Sequence, residues 1–358
     1  MRQQFYPLRI AEVRRETSDC VTLLFEVPAD LQETFRFRQG QYLTLRCTIN
    51  GQPVRRSYSI CSAPSEGSLR VAIKKQPGGV FSTYANEQLQ KGDVVEVMPP
   101  NGKFFIPLRP EAQRNYLFIA AGSGITPILS LLKETLAVEQ RSTCTLVYGN
   151  RTRGGIIFFE ELEALKNKYM QRFRLIHILS REKTEAPIHF GRIDANKLTE
   201  LQALIHYRSM DACFICGPEE LIHNTRHFLE NNGVAPEKIH FELFGVTPKK
   251  EKPDTTTTLQ QGGAVSHITV TLDGRSFTFD LPLNSDTTLL DAAAAQGADV
   301  PYACKGGVCC TCKAKLLQGE VSMDVHWGLD PEEMEQGYIL TCQAHPKTET
   351  VVIDFDVK

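Results

Sequence analysis

Cys304, Cys309, Cys312 and Cys342 form a C-x4-C-x2-C run with a distant fourth member, the spacing that holds a [2Fe–2S] cluster through four thiolates. Such a cluster gains and loses single electrons, so these residues point to electron transfer. Three of them lie in the loop PYACKGGVCCTCKAK. Its backbone must wrap closely round the inorganic core and aim N–H groups at the sulfurs, and Gly306 and Gly307 remove the side chains that would block this. Cys310 adjoins Cys309, but choosing it as ligand leaves x5 and x1 gaps foreign to such loops, so it reads as a bystander. A four-cysteine zinc site is the rival chemistry. It is usually built from two C-x2-C knuckles, and here only Cys309 and Cys312 make one, while Cys342 stands alone.

Further residues suit a flavin and a nucleotide. Arg56, Tyr58 and Ser59 lie in RRSYSI. A strand tyrosine can stack on a flavin ring, the adjacent hydroxyl can bond its edge, and arginine can neutralise a phosphate. Polar alternation on a barrel strand yields similar strings. Downstream, Gly78 and Gly79 precede a helix expected near Phe81 and Ser82, a place for a pyrophosphate. In AAGSGITPILS, Gly122 and Gly124 fall between a strand and a helix, where a dinucleotide phosphate approaches the backbone. Pro127 replaces the third glycine of G-x-G-x-x-G, and Ala121 rules out a nucleophile elbow at Ser123. Cys216, in FICGPEE, follows a strand at the end where parallel sheets bind ligands, whereas Cys213 reads as a small core residue.

The elements that must position these residues follow from pattern. A chain of 358 residues with 42% hydrophobic content suits two or three domains. Its first hundred or so residues alternate apolar and polar positions in VTLLFEV, QYLTLRC and LRVAIKK, which predicts an antiparallel β-barrel over 1–110 with a helix near STYANEQLQ. From Tyr116, strands YLFIAAG, CTLVYGN, FRLIHILS and ACFICGP alternate with helices ITPILSLLKETLAV, IFFEELEALKNKY and ELIHNTRHFLENNG. This predicts a parallel sheet with crossover helices over 111–245. Residues 246–264, rich in Pro, Lys, Thr and Gly, read as a flexible linker. A small α+β (β-grasp) domain is expected over 265–358.

The N-terminus carries no apolar h-region and no run reaches membrane length, so a soluble, cytoplasmic protein without membrane contact is expected. Eleven cysteines then argue for metal ligation and reduced thiols rather than disulfides. Net charge is −2, but residues 1–264 hold 34 Lys and Arg against 28 Asp and Glu, and residues 265–358 hold 6 against 14. Opposite signs favour docking of the two parts or steering of the acidic one to a basic partner. Nucleic-acid binding is disfavoured, since no basic stripe or aromatic-basic interleaving occurs.

The motifs at Arg56–Ser59, Gly78–Ser82, Gly122–Pro127, Tyr148–Arg151, Cys216–Pro218 and Phe241–Gly245 together resemble the ferredoxin–NADP reductase superfamily over residues 5–245, and the cysteine motif resembles plant-type ferredoxins over the rest. The order of flavin, nicotinamide and ferredoxin domains is similar to that of the reductase components of ring-1,2-phenylacetyl-CoA epoxidases. The resemblance implies FAD, although some ferredoxin-tailed reductases use FMN, with Tyr58 stacking on its ring, Ser59 near its N5, and Arg56 and Ser82 on its pyrophosphate. Gly78 and Gly79 belong to that cradle, and Gly122, Gly124 and Thr126 to the nucleotide loop. Cys216 would lie beside the nicotinamide, with Glu242 and Phe244 closing the flavin site; Ser59, Cys216 and Glu242 are thus the catalytic candidates. Ser180 and Arg181 resemble a pair that holds the 2′-phosphate of NADPH, with Arg151 and Arg153 adding charge. NADPH is therefore expected, with NADH the alternative.

A nicotinamide gives two electrons as hydride and the cluster accepts one at a time, so a flavin must stand between them. The implied activity is transfer from NADPH through FAD and [2Fe–2S] to a separate di-iron oxygenase in phenylacetyl-CoA ring epoxidation. No haem signature and no paired Glu-x-x-His is evident within the chain. Rival readings are an NADH-dependent reductase for another oxygenase or a hybrid-cluster protein, and a non-enzymatic redox-sensing or zinc-binding protein.

Overall fold

In the computed structural model of the chain, which describes residues 4–244, 264–283, 285–298 and 300–357, the alternating N-terminal region forms six strands. These are β1 (Tyr6–Thr17), β2 (Cys20–Glu26), β3 (Tyr42–Ile49), β4 (Gln52–Ser59), β5 (Leu69–Lys74) and β6 (Val94–Val97). Their order is β4-β3-β6-β1-β2-β5, all neighbours antiparallel, and an Ile60–Val71 bridge links the two outer strands into a barrel. Leu8, Ile10, Leu23, Leu43, Leu45 and Val71 fill its core. Strict alternation fails on β3, where Tyr42 through Leu45 are all buried. The segment after β6 returns across this strand, and Tyr42 and Asn101 exchange two backbone bonds at 2.8 and 3.0 Å. Helix α1 (Val80–Glu87) buries Phe81 and Ala85 against the barrel.

The next five strands are β7 (Asn115–Ala121), β8 (Thr143–Asn150), β9 (Phe173–Leu179), β10 (Ala212–Gly217) and β11 (Ile239–Leu243). All pairings are parallel, in the order β11-β10-β7-β8-β9. Helices α2 (Ile125–Val138), α3 (Phe159–Lys168), α4 (Ala195–Glu200) and α5 (Glu219–Asn231) make the crossovers. Leu117 to Ala120 are buried on both sides of the strand, as strands between helical layers must be. The chain steps outward from β7 to β9 and then returns to β10 on the other side of β7. This reversal opens a crevice at the carboxyl ends of β7 and β10. Helix α3 begins later than the apolar run suggests because Phe158 lies in the left-handed region, at φ 63°. Barrel and parallel sheet together form one compact unit, Phe5–Phe244.

A second compact unit holds the remaining described residues. The stretch 246–264, read as a linker, lies outside the described residues except for Ala264. Strands β12 (Val265–Leu272), β13 (Arg275–Pro282), β14 (Lys313–Gln318), β16 (Tyr338–Leu340) and β18 (Thr350–Asp354) form a sheet ordered β13-β12-β18-β14-β16, with β12 parallel to β18. Strands β15 (Val321–Met323) and β17 (Ala344–Pro346) pair separately. Helix α6 (Leu289–Ala295) is capped by Thr288, whose hydroxyl accepts from Asp291 N–H at 3.2 Å. It buries Leu289, Leu290, Ala292 and Ala293 in the sheet's core. Helix α7 (Pro331–Glu335) precedes β16. Among the described residues no helix is long and apolar enough to cross a membrane.

Candidate active site

Strand β4 ends at the residues read as flavin contacts. Tyr58 is half-buried, its ring centroid 5.5 Å from that of Phe81 on α1, and burial raises its phenol pKa, so it stays neutral. Arg56, two residues earlier, projects from the same side of the strand and is exposed. Gly78 takes φ +71° in the turn before α1, and Gly79 is the N-cap. The Ser82 hydroxyl accepts from Gln76 N–H at 3.1 Å and donates to the Gly79 carbonyl at 3.3 Å. That hydroxyl thus shapes the turn, and a Cβ on Gly79 would fall 2.4 Å from it. The first-turn N–H groups of Val80, Phe81 and Ser82, beyond the reach of helical carbonyls, fit a diphosphate.

Ser59 is buried at the end of β4 and donates its hydroxyl to Glu242 Oε2 at 3.1 Å. Glu242 lies on β11, opposite Cys216 on β10, which in turn lies opposite Ala120 on β7. The three residues therefore gather at the crevice where strand order reverses. Glu242 keeps some surface exposure as a residue, but protein encloses its carboxyl; burial pushes its pKa up to about 8, moderated by the Ser59 bond. Cys216 is fully buried. Burial first, and the Glu242 charge second, raise its pKa far above the usual thiol range, so it is a neutral thiol and not a nucleophile. Phe244 is 44% exposed at the end of the described segment.

The dinucleotide loop is a 3-10 turn, Gly122–Gly124, leading into α2. Gly122 has φ +53°. A Cβ on Gly124 would lie 2.1 Å from the Cys216 carbonyl oxygen, so glycine permits this turn to rest on β10. Thr126 donates to the Ser123 carbonyl at 3.0 Å. Pro127 falls in the first turn of α2, where its missing N–H costs no helical bond. Tyr148, fully buried on β8, donates to the Gly122 carbonyl at 2.9 Å and fixes the turn from below. Only its place before Gly149-Asn150 at a strand end hinted at that support.

Ser180 and Arg181 follow β9, and their N–H groups bond the carbonyls of Asn150 and Arg151 at 2.9 and 2.8 Å. Arg151 and Arg181 are thereby held side by side, both exposed. Arg153 is engaged elsewhere: its guanidinium lies 4.9 Å from the Phe159 ring centroid, and its N–H bonds Glu182 at 2.7 Å.

In the second unit the four motif cysteines form two pairs. Cys304 N–H bonds Cys309 Sγ at 3.4 Å, and Gly306 N–H bonds Cys304 Sγ at 3.3 Å. The neighbouring Cys309 thiol, then the N–H groups of Gly306, Val308 and Cys309, lower the Cys304 pKa against burial. Cys312 does the same for Cys342, helped by Gly307 N–H and the Gln343 amide. N–H groups aimed at sulfurs, and sulfurs gathered two by two, fit a centre of two irons with two protein ligands each. Gly307, at φ +72°, lies where a Cβ would meet the Val325 carbonyl at 2.9 Å. Cys310 is in the left-handed region and directs its thiol to the Gly328 carbonyl.

Comparison with known proteins matches residues 7–106 to the oxidoreductase FAD-binding domain, 118–227 to the oxidoreductase NAD-binding domain and 270–347 to the 2Fe-2S iron-sulfur cluster binding domain. Over 356 residues the chain is 45% identical to one of the component chains of 1,2-phenylacetyl-CoA epoxidase from Escherichia coli (strain K12), covering 99% of this chain and 98% of that one. The chain belongs to the family of oxygenase reductases with FAD-binding, NAD-binding and 2Fe-2S domains. It is an oxidoreductase, the electron-transfer component of a multicomponent oxygenase. This reductase is also 34% identical to the ferredoxin reductase component of 3-ketosteroid-9-alpha-monooxygenase from Rhodococcus rhodochrous, over 97% of this chain and 96% of that one. The structure of phthalate dioxygenase reductase matches with TM-score 0.61 and 24% identity over 98% of both chains, so it shares the fold. An intact type IV self-sufficient cytochrome P450 monooxygenase matches with TM-score 0.69 and 20% identity, over 98% of this chain and 41% of that one.

Proposed function

We propose that this reductase takes hydride from NADPH and delivers electrons singly to a di-iron oxygenase that epoxidises the ring of phenylacetyl-CoA, in the cytoplasm. The observation that carries the reading is full-length identity of 45% to a protein named for that epoxidase. When bound, FAD accepts two electrons together and releases them one by one, and the [2Fe–2S] cluster passes each on.

Each candidate residue then has a task. Tyr58, backed by the buried ring of Phe81, would offer its aromatic face to the flavin, and Arg56 and the first turn of α1 would hold its diphosphate. Ser59, which bonds Glu242, would bond the edge of the flavin ring, and the Glu242 carboxyl, its pKa pushed up to about 8 by burial, holds a proton at neutral pH. Cys216, a small buried neutral thiol at the carboxyl end of β10, would lie beside the nicotinamide. Gly122, Gly124 and Thr126 form the nucleotide loop, Phe244 closes the flavin site, and Cys304, Cys309, Cys312 and Cys342 hold the cluster.

Ser180, Arg181 and Arg151 form the 2′-phosphate site. Arg181→Ala removes a charge-assisted bond and should weaken NADPH use by about 1.5–3 kcal/mol in kcat/KM while leaving NADH use unchanged. Equal losses with both nucleotides would assign Arg181 a structural role. The function as a whole is tested by reconstitution. Alone, the protein should reduce ferricyanide or cytochrome c with NADPH and form no oxygenated product; with the oxygenase, NADPH oxidation should couple to epoxide formation. High salt should weaken that coupling if acidic residues of the cluster unit steer the encounter. Product formation by this chain alone would overturn the electron-supplier reading, and activity with a different acceptor only would overturn the pathway.

A further inference from the structure

Between β4 and β5 the chain runs through residues 60–68, directly after Tyr58 and Ser59. This short loop is fastened to the parallel-sheet half of the same unit at several points. Ser130 on α2 donates to the Ser62 carbonyl at 2.7 Å, and Ser65 N–H bonds Glu134 on α2 at 2.9 Å. Between these two, Lys133 reaches Glu66 in the loop at 2.5 Å and Glu161 on α3 at 2.6 Å. Arg70, the second residue of β5, completes the group with bonds of 2.9 and 3.0 Å to both Glu161 oxygens. The cluster joins two cations to two anions and so balances its charge. The Lys133 side chain is only 7% exposed, and those of Arg70 and Glu161 18% and 20%. In such surroundings water screens the attractions weakly, and a missing partner leaves a charge uncompensated.

The placement matters because each fastened element leads to a cofactor contact. The loop follows β4, which carries Tyr58 and Ser59, and α2 starts at the Gly122–Gly124 turn. A shift of α2 on the barrel would therefore displace the dinucleotide loop relative to the flavin strand. On the reading of those two sites given above, we propose that Lys133, Glu161 and Arg70 form a clamp that sets the approach of nicotinamide to flavin. They are positioning residues for hydride transfer, since their charged groups are engaged with one another and with the loop. Hydride transfer depends on a near-attack geometry in which a misplacement on the order of 1 Å costs on the order of 100-fold. A clamp that holds this geometry should show its effect in the transfer step more than in binding.

The test uses the full-length protein with its flavin and cluster, as wild type and as Lys133→Met, Glu161→Gln and Lys133→Arg. Anaerobic rapid mixing with NADPH or NADH, whichever reduces the wild type, gives the limiting rate of flavin bleaching and the nicotinamide–flavin charge-transfer absorbance. Hydrogen–deuterium exchange reads the loop 60–68 and the start of α2. Lys133→Met and Glu161→Gln should lower the limiting rate about 10- to 100-fold and weaken the charge-transfer band. Their exchange should quicken at both segments, with flavin and iron content and nucleotide affinity nearly unchanged. Lys133→Arg should restore the rate. Should either variant fail to fold, Glu66→Gln, which removes the more exposed arm, should show the same changes at smaller size. Faster exchange with a wild-type limiting rate and band would overturn the clamp alone. A wild type reduced by neither nucleotide would overturn the reading of the two sites and the clamp with it.

Discussion

Cys309→Ser should purify with its flavin but without iron or acid-labile sulfide, while Cys310→Ser keeps both. The difference rests on where the two sulfurs point. Cys309 Sγ pairs with Cys304 and receives its N–H at 3.4 Å, whereas the Cys310 thiol is directed to the Gly328 carbonyl. A serine hydroxyl is a harder ligand than a thiol and does not ionise readily near neutral pH, so one iron would keep a single protein ligand. Reduction of cytochrome c should fall to background in Cys309→Ser, since its electrons leave through the cluster. Ferricyanide reduction, which the flavin can supply directly, should persist. In wild type the cluster should titrate on the order of −400 mV, as in plant-type ferredoxins. Iron retained in Cys309→Ser and lost in Cys310→Ser would reverse the ligand assignment.

How far the sequence can be read depends on how local each feature is. The 2Fe-2S domain was legible because three of the proposed ligands lie within nine residues, with two glycines between them. The parallel sheet was legible for the same reason, each strand and crossover helix being a contiguous pattern. Contacts between distant segments left no such trace. Ser59 and Glu242 are 183 residues apart, and only the family resemblance related them. Cys213 and Cys216 look alike in CFICG, yet the register of β10 puts the first opposite Leu117 and Ile239 and the second opposite Ala120 and Glu242. Lys133 and Glu161 carried no signal in the sequence, because their ion pairs join segments far apart along the chain. The alternating pattern predicted barrel strands correctly but not the double burial of β3, which depends on the return of residues near Asn101. Phe158 likewise gave no warning of a left-handed N-cap, since such a φ is uncommon for an aromatic residue.

Gly124→Ala should abolish nucleotide binding and also destabilise the protein. The added Cβ would lie 2.1 Å from the Cys216 carbonyl oxygen, 2.5 Å from its carbon and 2.8 Å from Gly217 N. These are backbone atoms of β10, a strand paired on both sides by β7 and β11, so they cannot rotate aside as a side chain would. The 3-10 turn must lift instead. It is held by Tyr148 on the Gly122 carbonyl and by Thr126 on Ser123, and lifting it strains those bonds and moves the start of α2 away from the crevice. Overpacking of this kind costs about 1–3 kcal/mol and sometimes more; a clash with fixed backbone belongs at the upper end. At about 3 kcal/mol the melting temperature should fall by roughly 6–12 °C for a unit of this size. Gly122→Ala provides the contrast. A Cβ there meets nothing within 4 Å, so the cost is chiefly that of φ +53° for an L-residue, about 1–2 kcal/mol. Thermal unfolding and nucleotide titration of the two variants should therefore rank Gly124→Ala well below Gly122→Ala. FAD content should change far less than nucleotide affinity, because most of the proposed flavin contacts lie on β4 and α1, away from the turn. A Gly124→Ala protein that melts with wild type and binds NADPH normally would show that the turn does not rest on β10.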